Sequence, residues 1–198
     1  MYNTKTATTN NEEFTSNYIP VGINENITLK SISVEKTPNG RDFLRITFEN
    51  ESGQTAEMTE WKNEKNMWIK TDEDLQRRDN IQFGRILQLI ECYFEKAPEV
   101  ELKSFVDMIN WVKNTLDPII ATKKKLRLKC IYDKNGYVRV SQNGIYVEPM
   151  DIKETQIKLF KRDLLERPIK ADIEKPADPL ATTSSTPVTD TPNGDLPF

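Results

Sequence analysis

Between Ile27 and Trp61 the apolar residues keep a period of two but change phase once: Ile27 and Leu29 fall on odd positions, Ile32 and Val34 on even ones. A strand can do this only by inserting one residue, so the pattern predicts a β-bulge and a first strand that bends. Thr37-Pro38-Asn39-Gly40 follows as a hairpin turn in which Asn-Gly supplies positive φ. In Asp42 to Glu49, Leu44, Ile46 and Phe48 share one face while Phe43, Arg45 and Thr47 share the other. After a second turn, Asn50-Glu51-Ser52-Gly53, the chain returns from Gln54 to Trp61 with Ala56 and Met58 on one face and Thr55, Glu57, Thr59 and Trp61 on the other. A curled meander of this kind suits a small barrel, and an outer face of rings and cations suits a strand of nucleic acid. The same residues also fit an antiparallel sheet with one ordinary solvated face.

The meander is followed by a change of period. Trp61 to Lys70 reads as a connecting loop with two large rings, Trp61 and Trp68, beside Met67 and Ile69; for Trp68, plugging the end of a barrel and a role outside the core are equally weighted readings. Thr71 with Asp74 predicts a helix start, and Phe83, Ile86, Leu87, Ile90 and Phe94 form a single stripe that runs to Ala97-Pro98. Ser104 caps a second helix with Phe105, Met108, Ile109, Val112 and Leu116, closed by Asp117-Pro118. Both stripes are read as core, and Trp111 with them.

After Lys123-Lys124-Lys125 the period returns to two. Leu126, Leu128, Cys130 and Tyr132 take one face, and Lys125, Arg127 and Lys129 the other. A second Asn-Gly hairpin, Lys134-Asn135-Gly136, leads to a strand in which Val138 and Val140 oppose Tyr137, Arg139 and Ser141. Ile145 to Pro149 is read as a short final strand. Lysines on an edge strand also block unwanted pairing, which is the plain reading of Lys123 to Lys129.

Three strands, a helical insertion and two more strands make a mainly β protein with the element order of an OB-fold, a five-stranded barrel with two helices between strands 3 and 4. The expected organisation is a flexible arm over 1–17, an OB-fold domain over 18–150 with its insertion at 71–117, an accessory basic segment over 151–170 with a helical stripe, and a disordered tail over 171–198. Folding of that kind would gather Phe43, Arg45, Trp61, Arg127, Lys129, Tyr137 and Arg139 on one surface. Their rings would stack on bases and their cations neutralise phosphates, without sequence preference.

Composition narrows the chemistry. The 198 residues include no histidine, which removes His-based general bases, nucleophile pairs and His metal sites. No acidic cluster sits on a convincing strand end, so neither a metal nor another cofactor is expected, and neither is an enzyme. Cys92 and Cys130 form no C-x-x-C pair and read as buried thiols. No apolar run is long enough to cross a bilayer and residues 1–17 have no secretory h-region, so the expected compartment is the cytoplasm. From Ala171 to Phe198 five acids face one base, a charge of -4 against a total of -3, which leaves the other 170 residues at +1.

The chain closes in Asp195-Leu196-Pro197-Phe198 after an acidic, Pro- and Thr-rich stretch. This end resembles the terminal tip of bacterial single-stranded DNA-binding proteins. The body is similar to phage-encoded members in Gly22-Ile23-Asn24-Glu25, the first Asn-Gly hairpin, Thr59-Glu60-Trp61 and Gln82-Phe83-Gly84-Arg85-Ile86. The resemblance implies single-stranded DNA as the ligand, a role in replication, recombination and repair in a phage-infected or bacterial cell, and recruitment of partner proteins through Asp195, Leu196, Pro197 and Phe198. In this tip a single Asp stands where the bacterial pattern has a run, and the helical insertion has no bacterial counterpart, so tetramerisation is not carried over and homo-oligomerisation stays open. The alternative is a structural or adaptor protein whose barrel binds protein.

Overall fold

The structure is a computed structural model that describes residues 16–168. Most of the predicted arm, the acidic tail and its tip lie outside the described residues. The elements run β1 (Gly22–Lys36), β2 (Asp42–Glu49), β3 (Thr55–Trp61), α1 (Asp72–Glu91), α2 (Phe105–Leu116), β4 (Leu126–Tyr132), β5 (Val138–Val140) and β6 (Val147–Pro149), with a 3-10 turn over Asp117–Thr122. The protein is therefore mainly β, with two helices inserted between β3 and β4.

All six strands belong to one antiparallel sheet in the order β3-β2-β1-β4-β5, and β6 pairs with β4 beside β5. The hydrogen-bonded path does not close: β3 and β5 are its two ends, although some of their Cα atoms approach within 8 Å. Fifteen-residue β1 holds the sheet together, because its first half pairs with β4 and its second with β2. The predicted bulge is present as a register shift between Leu29 and Ser31. A second shift, between Asn24 and Ile27, coincides with the left-handed Asn26 (φ 58°) and left no phase change in the sequence. Two inserted residues let one strand bend through two ladders.

Each hairpin turn uses one device. Gly40, Gly53 and Gly136 adopt φ near 80°, and each donates its N–H to the carbonyl three residues earlier (Thr37, Asn50 and Asp133, 2.8 to 3.1 Å). The side chains of Thr37, Asn50 and Asp133 accept backbone N–H groups across the turn. Asn39 and Asn135 do not take positive φ, so the expected Asn-Gly geometry is replaced by a four-residue turn in which glycine alone is left-handed.

The core follows the predicted inward parity. Ile27, Leu29, Ile32, Leu44, Ile46, Phe48, Ala56, Met58, Leu126, Leu128 and Cys130 are buried and meet Ile86, Leu89 and Ile90 of α1 and Ile109, Val112 and Leu116 of α2. Thr71 and Ser104 cap the helices by accepting the N–H of Asp74 and Asp107. Helix α1 ends at Glu91, short of Ala97-Pro98, because its last turn tightens: Cys92 and Tyr93 donate to the carbonyls three residues back, 3.1 and 2.9 Å away. Its buried face is Gln82, Ile86, Leu89 and Ile90, one position round from the predicted stripe, with Phe83 and Leu87 at the margin. Burial pushes the thiols of Cys92 and Cys130 up to about 12, in keeping with inert core cysteines. No helix among the described residues is long and apolar enough to cross a membrane.

The accessory segment departs most from expectation. Residues 150–168 form no helix; they run as an irregular strap whose Leu164 bridges Tyr132 of β4 and whose Ile157 is buried. At the other end, Ser16 and Asn17, the last two residues of the expected arm, are held to the start of β3, where Thr55 donates its N–H to the Asn17 carbonyl at 3.0 Å. Gln54 donates to the Ser16 carbonyl (2.7 Å), Tyr18 bridges Thr55, and Ile19 is in the core.

Candidate nucleic-acid interface

The seven predicted side chains separate into three sets. Phe43, Arg45 and Trp61 come together on the outward face of β2 and β3, where Phe43 lies directly opposite Trp61 in the ladder. Their rings stack with centroids 4.4 Å apart and planes 17° from parallel, and the Arg45 guanidinium lies 5.6 Å from the Phe43 centroid. Trp61 covers Phe43, which is buried, and keeps 41% of its own surface exposed. The pair thus offers one supported indole face to solvent.

Arg45 is not a free cation. Its Nη1 lies 3.1 Å from Glu57 Oε2 and its Nε 3.0 Å from Glu35 Oε1, the latter off the hydrogen-bonding line. Those carboxylates flank it on β3 and β1 at the same face, so Arg45 orders the sheet surface and props the ring pair.

Arg127 and Lys129 correct the prediction. Both project from β4 away from the core, as the alternation required, but the strap covers them. Arg127 retains 12% side-chain exposure and gives its donors to Glu25 and Glu148 (2.9 Å each) and to the Ile152 carbonyl (3.0 Å). Those two carboxylates raise its already high pKa further. Lys129 is 0% exposed: its Nζ donates to the carbonyls of Asn143 (2.7 Å) and Lys158 (2.8 Å), lies 3.3 Å from Asp163 Oδ2, and faces the Phe160 ring at 4.7 Å. Burial alone would raise the carboxyls of Glu148 and Asp163. Hydrogen bonds from Thr155, Arg127 and the Gln156 N–H in one case, and from Asn143, the Phe160 N–H and Lys129 in the other, outweigh burial and hold both below the usual range. Neither cation is available to a phosphate.

Tyr137 and Arg139 form the third set, on the β4–β5 turn and β5. Tyr137 is 61% exposed, Arg139 is exposed, and Arg139 makes no ion pair among the described residues. Ser141, expected on the same outward face, is buried against Asp163. Arg167 from the strap passes beside this hairpin, its Nε 3.1 Å from where a β-carbon on Gly136 would sit.

Three features escaped the sequence reading. Glu60 continues the inward parity of Ala56 and Met58, so it is a carboxylate pointed into the core, and such a group demands a partner. It finds two: Arg85 Nη2 at 2.9 Å and Gln82 Nε2 at 2.7 Å. Gln82 also donates to the Trp61 carbonyl (2.8 Å), and the buried Tyr146 hydroxyl donates to the Arg85 carbonyl (2.9 Å). This network ties α1 to the end of β3 and fixes the backbone from which Trp61 projects. The parity of Glu60 was the signal. The second feature is Trp68, which plugs nothing: it is 84% exposed, while its neighbour Ile69 turns into the core. The third is a cleft of about 450 Å³ between α1 and the start of α2, floored by Phe83, Phe105 and Met108, with Lys62 and Lys103 among its lining residues.

Among the described residues no group of three or more His, Cys, Asp or Glu side chains is placed to hold a metal ion. No family model matches this chain, and no curated protein matches it.

Proposed function

We propose that the protein binds single-stranded DNA without sequence preference, through the outward face of β2 and β3. The observation that carries this reading is the Trp61–Phe43 stack, an indole supported from beneath and open above, set on a sheet surface beside charged side chains. A π-face of this kind accepts any base, at about 1 to 3 kcal/mol per base. On this reading the sheet is an OB-fold whose β3 and β5 edges approach without pairing. In such folds the face of strands 2 and 3 and the loops between strands 1 and 2 and between strands 4 and 5 take oligonucleotides. The exposed Tyr137 lies on that second loop, with Arg139 on the strand after it. Phosphate neutralisation then belongs to surface cations that make no ion pair among the described residues, such as Arg139, Lys62 and Lys70, and not to β4.

By the same reading the protein is a non-enzymatic coating factor of replication, recombination and repair in a bacterial or phage-infected cytoplasm. Its end, Asp195 to Phe198, would dock on partner proteins as a carboxylate-bearing acidic motif. The test is a titration of the full chain with a labelled poly-dT oligonucleotide against a duplex of equal length, repeated across salt. Preference for the single strand and affinity that falls steeply with salt are expected. Equal affinity for both, or none for either, overturns the reading. Binding to protein through an apolar surface, the competing role, would be nearly insensitive to salt.

A further inference from the structure

We propose that Trp68 is a second base-stacking ring, carried on a preformed loop that extends the site begun at Trp61; this rests on the single-strand reading above and adds a residue and a loop to it. Trp68 is 84% exposed and its neighbour Met67 is 80% exposed, the two most exposed large apolar side chains described. An indole so placed contributes nothing to the core.

The loop is built to hold it there. Asn66 Oδ1 accepts the N–H groups of both Trp68 (2.8 Å) and Ile69 (3.0 Å), and the Asn66 N–H donates to the Ile69 carbonyl (3.0 Å). This closed turn presents Met67 and Trp68 at its tip while buried Ile69 pins its base. Upstream, Asn63 donates to Asp79 (2.9 Å) and Gln82 (3.2 Å), the residue that also holds the Trp61 carbonyl. Next to Asn63, Glu64 pairs with Arg41 of the β1–β2 turn at 3.3 Å. The ring is therefore tethered between the end of β3 and the β1–β2 hairpin, and little ordering remains for a ligand to impose.

The surroundings select the ligand class. Lys62 and Lys70 flank the tip with no ion pair among the described residues, Lys65 is taken up by Asp72 at 2.7 Å, and the loop's one acid, Glu64, is neutralised by Arg41, a balance that favours a polyanion. One indole and one thioether are too small a patch for a stable protein interface, which needs about 800 Å² on each partner. One ring matches one base.

The experiment measures anisotropy of a labelled dT oligonucleotide of about 16 nucleotides, the upper end of what one such domain covers, with the full chain and its Trp68→Ala, Trp68→Leu and Trp68→Phe variants. Loss of a stacked base is expected to raise Kd about tenfold in the Ala and Leu variants, equivalent to about 1.4 kcal/mol, while Phe retains most of the affinity. Thermal unfolding stays unchanged, since the side chain is outside the core. If the parent chain binds dT and the Ala and Leu variants bind equally well, the inference is wrong and the Trp61 site stands. If Leu performs as well as Phe, the contact is apolar and not stacking, and the inference is equally wrong. Failure of the parent chain to bind dT removes both.

Discussion

The outward faces of β2 and β4 carry the same kind of sequence and come to opposite ends. On β2, Phe43 and Arg45 alternate with core residues; on β4, Arg127 and Lys129 do so. The first pair lies at an open surface beneath a half-exposed Trp61. The second lies under the strap of residues 150–168, with every Lys129 donor directed into the protein. Strand alternation states which side chains leave the core; it is silent on whether another segment comes to cover them. A cation under a cover must be paired, and the acids that pair these, Glu25, Glu148 and Asp163, are all distant in sequence.

The comparison breaks most visibly at the buried pair. Asp163→Ala leaves the Lys129 ammonium uncompensated and is expected to cost about 3 to 5 kcal/mol of stability. Chemical denaturation reads this directly, and an effect no larger than that of a surface substitution would mean that β4 is not sealed. The largest effect on binding belongs to the open face: Trp61→Ala should cost about 1 to 3 kcal/mol in dT affinity while Asp163→Asn, if it folds, leaves the salt dependence of binding as it was.

Acid provides a third break. The folded pKa values of Glu148 and Asp163 are depressed, so the stability they contribute is present above the ordinary carboxylate range and is lost as pH falls through their folded values. The strap should loosen in that acid window before the β1–β2–β3 ladder does, which amide exchange at successive pH values will resolve. The smallest effect sharpens the comparison further. Arg139→Gln should lower the slope of log affinity against log salt by about 0.7, one single-strand phosphate contact, whereas Arg127→Gln should leave the slope alone and reduce stability.

Much of the fold was legible because its signals are local. The phase change at Leu29 and Ile32 forecast the bulge, and Thr71 and Ser104 marked both helix starts. The strap departs from the helical stripe expected of its segment because Ile157, Phe160, Leu164 and Leu165 only approximate helical spacing. What fixes the segment instead is the long-range match of Asp163 to Lys129 and of Phe160 to Gly144, where a β-carbon would sit 2.8 Å from the ring. The candidate site divides in the same way. Phe43, Arg45 and Trp61 are joined by strand register, which parity predicts; Trp68 depends on a turn set by Asn66, which periodicity does not register.

Amide hydrogen exchange of the full chain with and without dT decides between the two faces most directly. Protection is predicted over Phe43 to Arg45 and Thr59 to Trp61, with the peptides of β4 and the strap unchanged. Protection confined to Leu126 to Ile131 and residues 150–168, with none on β2 and β3, would contradict the account.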